Sequence, residues 1–166
     1  FSVYVRAIGA PDSLTGTAWM IKTVGEAVIF LSMAKIGLAN RTQLTLGAAL
    51  FLGSFLVYAT VATPAAILAV QLVLGVGLAL YNLAVVNFAH RFSPDDLTST
   101  GQAVLSAFGI GTGRALGQLG AGNVMDAVGV VSMYYVLAGL AAGALLLSLL
   151  FHGPTLRRLG SVASVG

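Results

Sequence analysis

The chain has 166 residues, of which 58% are hydrophobic and 8% charged, with a net charge of +3 and no cysteine. A soluble domain carries roughly 25% charged residues, and no soluble fold of this length has the interior to hide so much apolar surface, so the composition specifies an integral membrane protein. The basic residues are scattered, which excludes a nucleic-acid surface, and the lack of cysteine excludes disulfides, thiolate metal sites and cysteine nucleophiles.

In chain order, FSVYVRAIGA is too short to cross a bilayer, since a span needs about 20 mostly apolar residues. It reads as a stub, residues 1–10, the tail of a helix that begins earlier in a longer chain. The APDS turn follows, with Asp12 or Ser13 placed to cap the next helix. Five segments then qualify as spans: about 14–36, 42–62, 64–89, 97–121 and 129–151. Lys35 and Arg41 flank the first connection, VATPAA has no base, Arg91 lies in the third, NVMDAVG has an acid and no base, and Arg157 and Arg158 follow the last span. Basic residues therefore alternate between connections, as the positive-inside rule requires, with only Arg6 on the opposite side. The reading is an all-α, polytopic membrane helix bundle over residues 1–154, with a cytoplasmic tail, 155–166. In RFSPDDL, Ser93 fits an N-cap, Pro94 fits N1, and Asp95 and Asp96 favour the positive end of the following helix.

The first span, containing WMIKTVGEAVIFL, holds Lys22 and Glu26 one helical turn apart near its middle. A charge at that depth costs about 2.5–3.5 kcal/mol or more. Thr15, Trp19, Lys22 and Glu26 share one face, with Lys22 about 6 Å outward of Glu26. Such a face looks into the bundle or a water-filled cavity rather than at lipid. Arg114, in the fourth span, is the third deep charge, at an estimated depth close to that of Lys22, so the three are expected to form one cluster. In the third span Gln71 and Asn82 lie on one face with Gly75 and Leu78 between them, and Tyr81 and Asn87 are near. Trp19 is either a stacking surface for a solute or an interfacial packing group. The second and fifth spans carry no internal charge and are expected on the lipid-facing outside.

The fourth span also repeats Gly109, Gly113 and Gly117 at spacing four, a small-residue stripe that lets another helix approach closely. Helix packing within the chain and dimerisation both fit it. His90 beside Arg91 reads as an interfacial histidine or a relay, and His152 has no partner in sequence. No spacing resembles a metal site, a nucleophile elbow or a phosphate loop. No cofactor, metal or catalytic residue is expected.

The run VVNFAHRFSPDDLTSTGQAVLSAFGIGTGRALGQLGAGNVMDAVG resembles the tenth-to-twelfth helix region of major facilitator superfamily transporters. Its marks are a basic loop with Pro and then Leu, a Gly-Gln-Ala start, a glycine ladder ending in Ala-Gly, and an Asp–Gly turn. The branch that it resembles is that of phenylpropionate permease-like proteins and nucleoside or sugar proton symporters. Residues 16–35 resemble that branch's eighth helix, whose membrane-embedded glutamate matches Glu26. AKIGLANR keeps Gly37 and two bases of a loop motif but lacks its acid, and Arg114 stands where the branch usually has a small residue.

The resemblance implies the C-terminal six-helix half of a major facilitator fold with its first helix truncated, in a cell membrane, bacterial inner membrane by kinship, with the C-terminus cytoplasmic. It implies proton-coupled symport of a small organic solute such as an aromatic acid, nucleoside or sugar. The partners would be that solute, a proton, the bilayer and the transporter's other half, with no nucleic acid. Glu26 would carry the proton, and Lys22, Arg114, Trp19, Gln71 and Asn82 would surround the solute. The rival reading is a structural or assembly subunit of a membrane complex without transport of its own.

Overall fold

A computed structural model of the chain describes residues 1–93 and 97–150, apart from the side chains of residues 33–36, 92 and 98. Pro94, Asp95 and Asp96, the Lys35 side chain, His152, Arg157 and Arg158 lie outside the described residues. Among the described residues all regular structure is helical: α1 Ser2–Ala7, α2 Ser13–Ile36, α3 Asn40–Thr60, α4 Pro64–Phe92, α5 Thr98–Val104, a π-helical segment Leu105–Gly111, α6 Thr112–Val128 and α7 Val130–Leu150. Among the described residues four helices are long and apolar enough to cross a membrane: Ser13–Ser32 of α2, Asn40–Thr60, Pro64–Arg91 and Val130–Leu150.

The span read at 97–121 is built differently from the other four. The backbone stays helical from α5 through the π segment into α6, with Leu105, Gly111 and Thr112 all in the right-handed helical region. Helix continues through Val128, so the NVMDAVG connection is helical rather than a loop. Asn123, Asp126 and Gly122 favour turns in isolation, but only Gly129 leaves the helical conformation. Its φ of 86° is one that glycine adopts without strain, and its N–H caps the carbonyl of Met125 at 2.9 Å.

The other turns follow local chemistry. Thr63 accepts from the Ala66 N–H and Pro64 opens α4. Asp12, expected as a cap, instead turns its carboxylate to Arg6 Nε at 2.9 Å. That pair is exposed and contributes little stability. Asp12 also raises the Arg6 guanidinium above its ordinary value, first by its hydrogen bond and then by its charge. Ser93 ends α4 with its N–H on Ala89.

α4 is the middle of the bundle, with α2 on one flank and α3 on the other; α3 in turn packs on α7. α2 turns Leu14, Ala18 and Gly25 inward and leaves Met20, Val24, Val28 and Leu31 exposed, an apolar face suited to lipid. α3 was expected outside. It sits between α4 and α7, burying Gln43, Gly47, Ser54, Tyr58 and Ala59, while Leu46 and Leu56 face outward. Lack of internal charge did not distinguish a covering helix from one held on two sides.

Without a hydrophobic drive between helices in lipid, close approach must come from small residues. Both flanks of α4 use them. A Cβ on Gly77 would lie 3.5 Å from the Gly47 carbonyl oxygen, and one on Gly47 would lie 3.2 Å from that of Gly77. On the other flank a Cβ on Gly25 would lie 2.9 Å from the Leu72 carbonyl oxygen, and one on Gly75 would overlap the carbonyl oxygen of Lys22. At the end of the bundle away from Arg41, Tyr4 meets Tyr58 and Tyr134 edge to face and the latter two rings lie tilted on each other, with centroids 5.0–5.4 Å apart. The Tyr4 hydroxyl donates to the Tyr58 carbonyl at 3.0 Å.

Candidate functional site

Gly75 is where the site begins. Its bare Cα lets the turn of α2 from Lys22 to Glu26 seat directly on α4. Lys22 Nζ and Glu26 Oε1 are 3.4 Å apart, with only 19% and 23% of their side chains exposed. Lys22 Nζ also lies 4.6 Å from the centre of the Trp19 ring, a cation–π distance. Three neighbours predicted from helical spacing therefore meet as one unit. The tryptophan shields the ammonium from solvent while its other side faces out, 53% exposed.

Lys22 and Trp19 line a cavity of about 370 Å³ that reaches across the bundle. α4 supplies Gln71, Leu74 and Leu78; α3 supplies Phe51, Phe55 and Tyr58; α7 supplies Met133, Tyr134 and Leu137. The walls are largely aromatic. Two polar atoms among them, Gln71 Oε1 and the Tyr58 hydroxyl, are buried and have no hydrogen-bond partner. Buried polar atoms are almost always paired, so an unpaired one marks a place where a group from elsewhere is expected.

Arg114 does not join this cluster. It lines a second cavity of about 200 Å³ with Leu78, Tyr81 and Asn82 of α4 and Gly109, Ile110 and Gly113 beside it. Leu78 borders both cavities. Among the described residues no ion pair joins Arg114 to Glu26; the ion pair inside the bundle is Lys22–Glu26. The three-charge cluster expected from depth alone is thus two adjoining sites, each with one cation and one neutral amide from α4. The π segment contributes to this division. A π turn takes up about one residue more than an α turn and often marks functional positions, so it resets the direction in which Arg114 leaves the helix.

The glycine stripe is a further correction. Around Gly113 and Gly117 nothing lies within 4 Å of an added Cβ, and around Gly109 only Leu105 does, at 3.7 Å. The π segment and α6 bury no residue at all, and Phe108, Leu116 and Leu119 are exposed. Among the described residues the stripe packs on no other helix; the glycines that do bring helices together are Gly25, Gly75, Gly47 and Gly77. The other polar residues are accounted for locally. Asn87 Nδ2 donates to Asn40 Oδ1 at 3.0 Å, and His90 Nε2 lies 2.9 Å from Gln102 Nε2. Sequence reasoning missed Tyr58, Phe51, Phe55 and Tyr134 as cavity walls, although their positions within α3 and α7 put them at helical spacing on inward faces.

The model of the MFS_1 like family matches residues 1–136, most of the chain. The chain belongs to the MFS_1 like family, within the major facilitator superfamily. The matched region takes in α1 to α6, the start of α7 and the lining of both cavities except Leu137. No curated protein and no solved structure matches the chain. Membership of this family implies a membrane transporter of the major facilitator kind. Among the described residues no group of His, Cys, Asp or Glu is arranged to hold a metal ion.

Proposed function

We propose that this MFS_1-like chain forms the C-terminal half of a proton-coupled secondary transporter, a symporter of a small organic solute such as an aromatic acid, nucleoside or sugar. α1 is then the end of the seventh transmembrane helix, and the C-terminus is cytoplasmic in a cell membrane of bacterial inner-membrane type. Transport of this kind rocks two halves around a site near the midplane. The Lys22–Glu26 pair carries the reading: a part-buried carboxylate and ammonium inside a predicted span. Ionisable groups at that depth are expensive and mark solute or proton pathways.

Glu26 is the proton carrier. Ionised, it is held by Lys22; protonated, it releases Lys22. Gln71 and Trp19 contact the solute beside Lys22, and Arg114 and Asn82 contact it, or a second part of it, across Leu78. Proton flux measured in vesicles carrying the full-length protein tests the assignment. Glu26→Gln is expected to abolish solute-driven proton movement, and undiminished coupling in that variant removes Glu26 from the mechanism. The open space around Gly113 and Gly117 of α6, where an added Cβ meets nothing within 4 Å, favours the rival reading of an assembly subunit, which predicts no solute flux under any gradient.

A further inference from the structure

Going beyond the transport reading, we propose that the Arg114 cavity is a binding site for a small planar monoanion, of the nitrate, bicarbonate or acetate kind, separate from the Lys22 cavity. The site asks for no proton on Glu26. In transport the solute meets Arg114 with that anion between them. Three observations carry this.

The first is an unbalanced charge. Arg114 belongs to the span read at 97–121 and lines a cavity of about 200 Å³. A guanidinium stays protonated in a protein, and a charge inside a membrane is costly unless it is paired or meets water. Among the described residues Arg114 has neither an ion pair nor a hydrogen bond. The described acids are committed or distant. Asp12 is held by Arg6, and Glu26 by Lys22. Asp126 is on the same helix more than three turns further on, roughly 18 Å along its axis. The cavity therefore holds one positive charge that a single monoanion balances.

The second is the donor set. Tyr81 and Asn82 of α4 line the cavity with Arg114, and no carboxylate does. The guanidinium offers five N–H donors in a planar fork and no acceptor; the phenol adds one O–H and the amide two N–H. Tyr81 and Asn82 also have no hydrogen-bond partner among the described residues. A trigonal oxyanion presents two coplanar oxygens to the fork, the bidentate arrangement that makes guanidinium–oxyanion pairs strong. A halide presents a single centre. A sulfate brings a second negative charge, left unbalanced beside Leu78 and Ile110.

The third is the room. Pockets for drug-sized ligands run about 300–1,000 Å³. At about 200 Å³ this cavity suits an anion of a few heavy atoms rather than a nucleoside or a sugar. It is open, so an anion enters without parting the helices. Gly109 and Gly113 form part of its wall. A Cβ on Gly113 would meet nothing within 4 Å, and one on Gly109 would meet Leu105 at 3.7 Å. Glycines that bring no helix close thus leave space beside the cation.

Infrared difference spectroscopy on the full-length protein in lipid, perfused with anions, tests the site. Nitrate is the probe, because two N–H groups holding it split its degenerate stretch. Nitrate is expected to bind saturably and to be displaced by acetate and bicarbonate, whose relative strengths name the preferred source. Chloride and sulfate are expected to displace it at least about tenfold less well, the worth of one charge-assisted hydrogen bond. Arg114→Gln is expected to lose the split band. Arg114→Lys keeps the charge without the fork and is expected to bind nitrate and chloride alike. Gly113→Leu keeps the cation but fills the space beside it, and is expected to weaken nitrate by about tenfold or more. The amide band of the same spectra reports whether each variant is folded. Displacement by chloride as readily as by acetate overturns the planar assignment, and an unchanged nitrate band in folded Arg114→Gln overturns the site. Absence of saturable nitrate binding in the full-length protein overturns it too, and assigns Arg114 to an acid of the other half.

Discussion

Replacing Gly75 by alanine adds one methyl group at the point where α2 rests on α4. That Cβ would overlap the Lys22 carbonyl oxygen and lie 3.0 Å from the Lys22 carbonyl carbon and 3.2 Å from the Glu26 nitrogen. All three are backbone atoms, so no side chain can rotate away. To restore ordinary contact α2 must retreat by roughly 1 Å, and overpacking of this kind costs about 1–3 kcal/mol. Alanine also recovers about 1 kcal/mol of helix propensity over glycine, which would mask part of the loss. The control is Gly113→Ala, where the added Cβ meets nothing within 4 Å. Both changes gain the propensity term, so their difference isolates the clash. Equilibrium unfolding in mixed micelles by SDS titration is expected to place Gly75→Ala about 1–3 kcal/mol below Gly113→Ala, roughly a 5- to 150-fold difference in folded-to-unfolded ratio. If the two variants unfold together, α2 and α4 do not cross at Gly75, and the seating of Lys22 and Glu26 described above is wrong.

Three further outcomes are expected. Gln71→Met removes an amide whose oxygen has no partner; stability is expected to hold or rise by up to about 1 kcal/mol, while solute uptake falls, and the two are read by SDS titration and by vesicle uptake. A double-mutant cycle with Lys22→Met and Glu26→Gln is expected to give a coupling of about 0.5–3 kcal/mol in SDS titration; additive losses would show that the 3.4 Å approach contributes nothing. Tyr4→Phe loses the hydrogen bond to the Tyr58 carbonyl but keeps the edge-to-face ring contact. It is expected to cost about 1 kcal/mol by the same titration.

Much of this architecture could be read from residue order because membrane helices obey strict length and polarity rules. α2, α3, α4 and α7 fall close to the spans drawn from apolar length. The grouping of Trp19, Lys22 and Glu26 followed from helical period within one unbroken helix. The period stops being a guide where the helix changes type. Past Leu105 the π segment inserts about one extra residue per turn, so a wheel drawn straight through to Arg114 misplaces it by roughly 100°. Depth alone then suggested a partner, Glu26, that the azimuth denies. The glycine stripe failed for another reason: spacing shows that a face can be approached, not that a neighbour within the chain approaches it. The effective glycines, Gly25 and Gly75, lie on different helices and have no signature until the two are seen to cross.

The three tyrosines near the Gly129 turn have a mechanical consequence. Tyr4, Tyr58 and Tyr134 join α1, α3 and α7 through edge-to-face and tilted ring contacts at one end of the bundle. At the other end the helices are joined by hydrogen bonds between polar side chains, Asn87 with Asn40, His90 with Gln102 and Ser148 with Thr45. Such bonds can be exchanged for water at little cost, whereas parting a buried ring cluster exposes large apolar surfaces. A bundle fastened this way is expected to part more readily at the Arg41 edge than at the tyrosine edge.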